Sequence, residues 1–154
     1  ETVSERHFKK GDTVEVIREN DQSNSSYFVA TVLRSPAKTK NHIYVEYQTL
    51  MADEIVPKRL RERIDASKVR PVPARDLHRS FNLLEVVDAF HNNGWRQGTI
   101  MGVLLNSKYL VLLNDTDQQT EFQRSKLRIH REWHDGFWVP PLDEQKKSCE
   151  LEMK

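Results

Sequence analysis

The sequence contains little of what several classes of protein require. Its 154 residues include a single cysteine, Cys149, and only five glycines. One cysteine cannot form an internal disulfide framework or a cysteine-rich zinc site, and it fits a reducing compartment. No run of about 18 apolar residues is present, so we expect no membrane span.

Recognisable catalytic motifs are also missing. The chain has no glycine-rich phosphate loop, and no serine or cysteine lies in a nucleophile elbow. His130 and His134 are four residues apart, but they lack the glutamate that accompanies such a pair in a metalloprotease helix. We therefore expect a protein without enzymatic activity, bound metal or cofactor.

The balance of charge argues against a dedicated DNA-binding domain. The 24 lysines and arginines face 23 acidic residues, for a net charge of +1, whereas such domains usually have a clear basic excess. The densest positive run, residues 58–63, has two interpretations. It is either a solvated strand face or a weak contact to nucleic-acid phosphates.

Short segments rich in β-branched and aromatic residues, separated by polar turns, predict an all-β fold. The connections are too short for the crossovers that parallel strands need. In the first half, strands are predicted at Thr13–Ile17, Tyr27–Leu33 and Ile43–Tyr47, within the stretch Thr49–Asp65, and in the closing segment Ser67–Pro71. In the second half, they are predicted at Leu84–Phe90, Trp95–Leu104, Lys108–Leu113 and Thr120–Phe122 and in the closing segment Ser125–Ile129.

Two further segments have their own patterns. Asn92-Asn93-Gly94 is typical of a β-hairpin turn. Residues 133–141 are rich in aromatic residues and proline, and we interpret them as an irregular tail that packs against the second half.

The two halves repeat the same order of motifs. Val14-Glu15-Val16 matches Val87-Asp88-Ala89, and Ser67-Lys68-Val69-Arg70 matches Ser125-Lys126-Leu127-Arg128. A duplicated small barrel explains this pattern, since closure protects strand edges even when the core is thin. The sequence predicts two five-stranded barrels in tandem, over residues 8–73 and 82–141.

Several runs make the chain resemble the tandem Agenet domain of plants, a Tudor-like branch of the Royal superfamily. The runs are Phe8-Lys9-Lys10-Gly11-Asp12, residues 65–73, Val87-Asp88-Ala89-Phe90 with Gly94-Trp95, and Leu127-Arg128 with residues 133–141. The resemblance extends over residues 8 to 141. It implies two small, strongly bent Tudor-like (Agenet) barrels packed in tandem.

The same resemblance implies a function. Tandem Agenet proteins resemble readers of histone tails that carry methylated lysine in silenced, heterochromatic chromatin. The expected partner is therefore a histone tail, with other chromatin proteins and weak nucleic-acid contacts as further partners, and the expected location is the nucleus.

A methylated ammonium group binds best over aromatic faces, each contact contributing about 0.5–2 kcal/mol. By resemblance, the cage positions are Ile17, Phe28, Tyr47 and Leu50 in the first unit and Phe90, Arg96, Leu113 and Thr116 in the second. The aromatic cage candidates at or beside these positions are Phe28, Tyr47, Tyr27, Trp95 and Phe90. Phe28 with Tyr47, completed by a ring from the face between the units, is the favoured cage, and Tyr47→Ala is predicted to remove the preference for methylation.

The unmodified part of a histone tail is basic and needs carboxylates to bind it. The candidates are Glu46, Asp53, Glu54, Asp88, Asp115 and Asp117. A rival hypothesis is a protein-interaction scaffold with degenerate cages, which binds without regard to methylation. The non-aromatic residues Ile17, Arg96 and Leu113 at cage positions favour it.

Overall fold

The fold of the first unit is a bent antiparallel ladder. The computed structural model describes residues 8–19, 24–34, 41–53, 55, 57–116, 118–134 and 136–142. The strands of the first unit are β1 (Thr13–Glu19), β2 (Ser25–Arg34), β3 (His42–Asp53), β4 (Lys58–Asp65) and β5 (Val69–Pro71). They follow the order β4-β3-β2-β1-β5.

A 3-10 turn, Ala66–Lys68, joins β4 to β5. The Asp65 carboxylate caps this turn by accepting a hydrogen bond from the backbone N–H of Ser67 at 2.9 Å. Within the residues described, β4 and β5 are not hydrogen-bonded to each other, so the ladder curls like a barrel without complete closure. The prediction for residues 49–65 was only partly right, because β3 runs on to Asp53 and β4 begins at Lys58.

The second unit repeats the same order. Its strands are β6 (Val86–His91), β7 (Gly94–Val103), β8 (Lys108–Leu113), β9 (Gln119–Gln123) and β10 (Leu127–Ile129). They pair as β9-β8-β7-β6-β10, and the 3-10 turn Arg124–Lys126 precedes β10 as its counterpart precedes β5. The predicted duplication of an all-β unit is therefore confirmed.

Backbone conformation sets the start of β6 and its turn into β7. Asn92 and Asn93 have φ angles of 52° and 70°, as the two central residues of a type I′ hairpin turn require. Leu84 also has a positive φ of 69°, so it belongs to a turn. The prediction that β6 starts at Leu84 was wrong by two residues.

The aromatic tail is more regular than predicted. Glu132–His134 (β11) and Phe137–Val139 (β12) form a two-stranded antiparallel hairpin. The Trp133 and Trp138 rings lie directly across from each other in this hairpin, with centroids 4.9 Å apart. The interpretation of residues 133–141 as an irregular tail was therefore wrong. The Trp133–Trp138 contact is a cross-strand pair of the kind that stabilises a β-hairpin.

Each unit has its own apolar core. Alternate residues of β1, β2 and β3 point inward in the first unit, as the two-residue period of a strand requires. The second core is built from equivalent positions, including Val87, Ile100, Val111 and Leu127. None of the elements in the described ranges is a helix long enough and apolar enough to cross a membrane.

The two units share one continuous ten-stranded sheet. Strand β2 pairs antiparallel with β7, so that Ser26 lies opposite Arg96 and Tyr27 lies opposite Trp95. The units are therefore joined by backbone pairing as well as by side-chain packing. This junction brings β1, β5, β6 and β10 of the two units together through their side chains, as the ion pairs below show.

Candidate functional site

The junction contains a buried network of charges. Glu15 on β1 is fully buried and accepts hydrogen bonds from Arg70 of its own unit and Arg128 of the other unit. The shortest joins Arg128 Nη1 to Glu15 Oε2 at 2.6 Å. Arg128 Nε also donates to Asp88 Oδ2 at 3.0 Å. Because Glu15–Arg70 and Asp88–Arg128 are equivalent pairs in the repeat, the network is duplicated and then cross-linked.

His130 extends this network toward solvent. Its Nδ1 lies 2.7 Å from Asp88 Oδ1, and its Nε2 lies 3.0 Å from Glu132 Oε1. Burial lowers the pKa of His130, but the hydrogen bond and charge of Asp88, with a smaller contribution from Glu132, outweigh burial and raise the pKa above its usual value. The ring is therefore poised to carry a positive charge between two carboxylates.

A pocket of about 290 Å³ opens where the units meet. We call it the junction pocket, and its lining includes Ile17, Tyr27, Arg96, Asp115, His130 and Glu132. Asp115 Oδ2 accepts a hydrogen bond from Arg96 Nη1 at 3.1 Å. Its Oδ1 is buried and has no hydrogen-bond partner among the described residues. A buried acceptor without a donor costs free energy, so a ligand that donates a hydrogen bond here would be favoured.

Tyr27 and Trp95 lie side by side in the junction, each with an arginine on its ring. The Arg70 guanidinium lies 3.5 Å from the Tyr27 ring centroid, and that of Arg128 lies 4.2 Å from the Trp95 ring. Both arginines are buried and ion-paired with Glu15. These ring faces are therefore occupied by the protein's own cations.

Phe28 and Tyr47, the favoured cage pair, belong to the core of the first unit. Tyr47 is 0% exposed, and its hydroxyl donates to Glu62 Oε2 at 2.6 Å. Burial and this hydrogen bond raise the pKa of Tyr47 to about 12. Phe28 packs so closely on Gly94 that a Cβ there would lie 2.6 Å from its ring. In this conformation neither ring presents an open face.

Phe90 and Trp95 form a corner. Their ring centroids are 5.3 Å apart and the rings cross at 71°. The ammonium of Lys126, an exposed residue on the 3-10 turn, lies 5.4 Å from the Phe90 centroid. This corner therefore already holds one lysine ammonium over an aromatic face.

The acidic candidates have different surroundings. Glu46 pairs with Arg61 and Arg59 on β4, and Asp53 is exposed and accepts from the backbone N–H of Ile55. Asp88 is fully buried with both oxygens engaged by Arg128 and His130. Glu54 and Asp117 lie outside the described residues.

The structure brings Tyr27 and Asp115 of the predicted set into one pocket, with Ile17 and Arg96 from the predicted cage positions. Sequence reasoning missed His130, Glu132 and the two buried arginines. The repeat contained a usable signal, because each unit has an acid flanked by apolar residues and a matching arginine. No group of three or more potential metal ligands occurs among the described residues.

Comparison with known families agrees with this architecture. Residues 11–74 match the Agenet domain model. The first unit belongs to the Agenet domain family. Because Agenet domains are binding folds of the reader type, this match favours a binding role over catalysis for the first unit.

The relatives include longer plant proteins. The chain is 34% identical over 145 residues to AGENET DOMAIN (AGD)-CONTAINING P1 of Arabidopsis thaliana, an alignment that covers 90% of this chain and 28% of the relative. It is 32% identical over 148 residues to DUF724 domain-containing protein 6 of the same plant, covering 94% and 21%. The chain thus spans less than a third of each of these proteins.

Solved tandem Agenet structures share the arrangement of both units. The AGD34 region of Arabidopsis thaliana AGDP1 superposes with a TM-score of 0.80 at 27% identity, covering 88% of this chain and 91% of that one. The tandem Agenet domain 3-4 of ADCP1 superposes with a TM-score of 0.77 at 28% identity, covering 91% and 92%. The second unit is therefore an Agenet-type unit in fold as well.

Proposed function

We propose that this tandem Agenet chain is a nuclear chromatin reader, which binds a basic histone tail carrying a methylated lysine of a silencing mark. The observation that carries the proposal is the junction pocket, where Asp115 has a buried oxygen without a donor and Glu132 lies nearby. Carboxylates in a concave, partly dry site favour ammonium and guanidinium groups over neutral ones.

The charge of the junction pocket supports a cationic ligand. Asp115 and Glu132 contribute negative charge, and Arg96 is the one permanent cation among the described residues of its lining. His130 adds positive charge only when protonated. Above the pKa of His130, the lining is therefore net negative and suits the lysines and arginines of a tail.

The Phe90–Trp95 corner supports the preference for methylation. Lys126 is exposed, and its ammonium makes a weak contact to Phe90, of about 0.5–1 kcal/mol for such cation–π pairs. A methylated lysine can take its place because it is less strongly hydrated and loses less on leaving water. Arg70 and Arg128, by contrast, are buried and ion-paired, and Arg75 lies 4.8 Å from the Trp95 centroid, so Tyr27 and Trp95 are closed to a ligand and the face that remains is that of Phe90 under Lys126.

The test is calorimetric titration with histone-tail peptides that differ only in the methylation of one lysine. We expect at least one dimethylated or trimethylated peptide to bind about tenfold more tightly than its unmodified form, a difference of about 1.4 kcal/mol. Equal affinity for every methylation state across the histone tails would refute the proposal.

Variants of the Phe90–Trp95 corner test the part of the binding affinity that depends on lysine methylation. Phe90→Leu keeps an apolar side chain but removes the aromatic face, so it should abolish the preference. Lys126→Ala should strengthen binding of the methylated peptide several-fold, by about 2–5-fold if one weak cation–π contact is released. Lys68→Ala is the matched control, because Lys68 holds the equivalent place in the 3-10 turn of the first unit.

Variants of the junction pocket test the part of the binding affinity that depends on the charge of the pocket. Glu132→Gln should weaken binding of methylated and unmethylated peptides alike. Glu121→Gln is its control, since the two side chains are 51% and 52% exposed and Glu121 pairs with Lys108 away from the pocket. If both variants weakened binding equally, the junction pocket would not be the binding site.

A specific observation favours a second candidate, a scaffold that binds basic segments without regard to methylation. Four of the five aromatic candidates have one of the chain's own cations within 5.4 Å of the ring centroid. If these cations stay in place, the carboxylates alone select the ligand. The peptide titrations distinguish the two candidates directly.

A further inference from the structure

A second cavity of about 370 Å³ lies between the segment that links the units and the strand β10 with its extension. We call it the arginine pocket, and its charged lining residues are Arg75, Asp76, Arg79, Arg128 and Arg131. Ile129 and Arg131 line this cavity, whereas His130 and Glu132 line the junction pocket. Side chains alternate along extended backbone, so one short segment separates two sites of opposite charge.

Arg75 provides the most specific signal in this cavity. Its Nη2 donates to the backbone carbonyl oxygens of Ser125 and Leu127 at 2.8 and 3.0 Å. Its Nε is buried without a hydrogen-bond partner among the described residues, and no ion pair joins Arg75 to a carboxylate in that set. Burial and the nearby positive charge of Arg128 lower the pKa of Arg75. The guanidinium is thus held by neutral acceptors and by the Trp95 ring, whose centroid lies 4.8 Å away, and no carboxylate among the described residues offsets its charge.

The other arginines have different partners. Arg79 donates to Glu85 at 2.8 Å, and 37% of its side chain is exposed. Arg131 Nη1 donates to the carbonyl oxygens of Pro140 and Pro141. Arg128, on the inner wall, is neutralised by Glu15 and Asp88. With Asp76 as the only carboxylate of the lining that the structure describes, the cavity has an excess of positive charge.

We propose that the arginine pocket binds the phosphate group of a phosphorylated side chain in a protein partner. A phosphomonoester carries about −1.5 to −2 charge at pH 7 and three strong acceptor oxygens. Arginines bind such groups with parallel N–H donors. Arg75 lines the cavity, and its buried Nε–H has no acceptor among the described residues. The proposal does not depend on methyl-lysine reading.

The shape of the site favours a side chain over a nucleic-acid backbone. The cavity is a concave recess between a loop and a strand, so a single protruding group can enter it. A duplex needs several phosphate contacts along a surface, and only one guanidinium in this cavity combines an unpartnered buried donor with a charge that no carboxylate offsets. Duplex DNA is therefore the alternative that the experiment must exclude.

The first experiment uses NMR of arginine Nε–Hε groups at constant ionic strength. Inorganic phosphate should shift the Arg75 signal saturably with a Kd on the order of 1 mM, the range of weak anion sites. A lysine-free phosphoserine peptide should bind at least about tenfold more tightly than the same peptide with serine. A 12-base-pair duplex, roughly one helical turn, should not compete with it.

Matched variants locate the binding. Arg79→Gln should weaken the phosphopeptide about tenfold, and Arg75→Gln should abolish the phosphate-induced shifts at the remaining arginines of the cavity. Arg18→Gln is the control. Arg18 and Arg79 are 39% and 37% exposed, each pairs with a glutamate at about the same distance, and each lies over an aromatic ring.

The outcomes decide the matter. Phosphopeptide binding that is lost in Arg79→Gln and kept in Arg18→Gln supports the proposal, even if Arg75→Gln fails to fold. An Arg75 signal that does not move with phosphate overturns it, as does equal weakening by both exposed variants. Displacement of the phosphopeptide by duplex DNA would also overturn it and assign the cavity to nucleic acid. Methyl-lysine titrations should be unchanged by Arg79→Gln.

Discussion

Arg128 of the second unit donates to Glu15 of the first across 2.6 Å, and both side chains are nearly or fully buried. The two residues are 113 positions apart in the chain. A charge buried on one unit is therefore neutralised by the other. This arrangement makes the two Agenet units dependent on each other, because separation would leave the carboxylate of Glu15 with one arginine in place of two.

Loss of this pair should destabilise both units together. We expect Arg128→Met to lower the free energy of unfolding by about 3–5 kcal/mol, since it removes one of the two arginines on buried Glu15 and the arginine on buried Asp88. Arg61→Met removes an exposed pair with Glu46 and should cost at most about 1 kcal/mol. Urea unfolding followed by fluorescence measures both values. Similar losses in the two variants would contradict the role assigned to the buried network.

Gly94 is required for the close approach of the two units. A Cβ at this position would lie 2.6 Å from Cε1 of Phe28, whose ring is held in the core of the first unit. We expect Gly94→Ala to cost about 1–3 kcal/mol through overpacking. At Gly102, another glycine of β7, the nearest atom is 3.4 Å away, so Gly102→Ala should be tolerated. Thermal unfolding of the two variants gives the comparison. Equal stability would contradict the prediction, because it would show that Phe28 can move away from a Cβ at position 94 without loss of stability.

Stability should depend on pH through His130. Its pKa in the folded chain is raised above the unfolded value of about 6.5. Its contribution is therefore fully present below about pH 6.5 and is lost as pH rises through the raised value. We expect the wild type to lose stability over this window relative to His130→Gln, as measured by urea unfolding at a series of pH values. A constant difference between the two proteins would contradict the assignment.

Binding of a basic peptide should change with pH in the opposite direction. Deprotonation of His130 leaves the carboxylates of Asp115 and Glu132 less compensated in the junction pocket. We expect affinity for an unmethylated basic peptide to rise over the same pH window in which stability falls, and His130→Gln to flatten that rise. Calorimetric titrations at each pH check it. Affinity that falls with rising pH would argue against the junction pocket.

Tyr47 tests the cage implied by the family resemblance against the cage suggested by geometry. Tyr47→Phe removes the hydroxyl that donates to Glu62 but keeps the ring. We expect a loss of about 1 kcal/mol in unfolding free energy and no change in any preference for methylated peptides, because the ring is fully buried. Parallel unfolding and peptide titrations measure both effects. Loss of methyl preference at unchanged stability would return Tyr47 to the binding site.

The repeat and the strand periodicity were enough to predict the all-β class and the duplicated unit. The start of β6 was not predictable, since the positive φ of Leu84 is unusual for a leucine. The hairpin of residues 132–139 was missed because its stability comes from Trp133 against Trp138, a contact between strands that no single strand pattern reveals. Local patterns predict local structure; contacts between strands require the assembled sheet.

The candidate site shows the same division. Sequence by itself determined which residue types are available: aromatic rings near the cage positions, carboxylates in the turns, and a matched acid and arginine in each unit. Only the tertiary structure decided that Tyr27 and Asp115 share one pocket and that Phe28 and Tyr47 belong to a core. The reason is the pairing of β2 with β7, which joins the two units in one sheet and brings the arginines of each unit to the charges and rings at their junction.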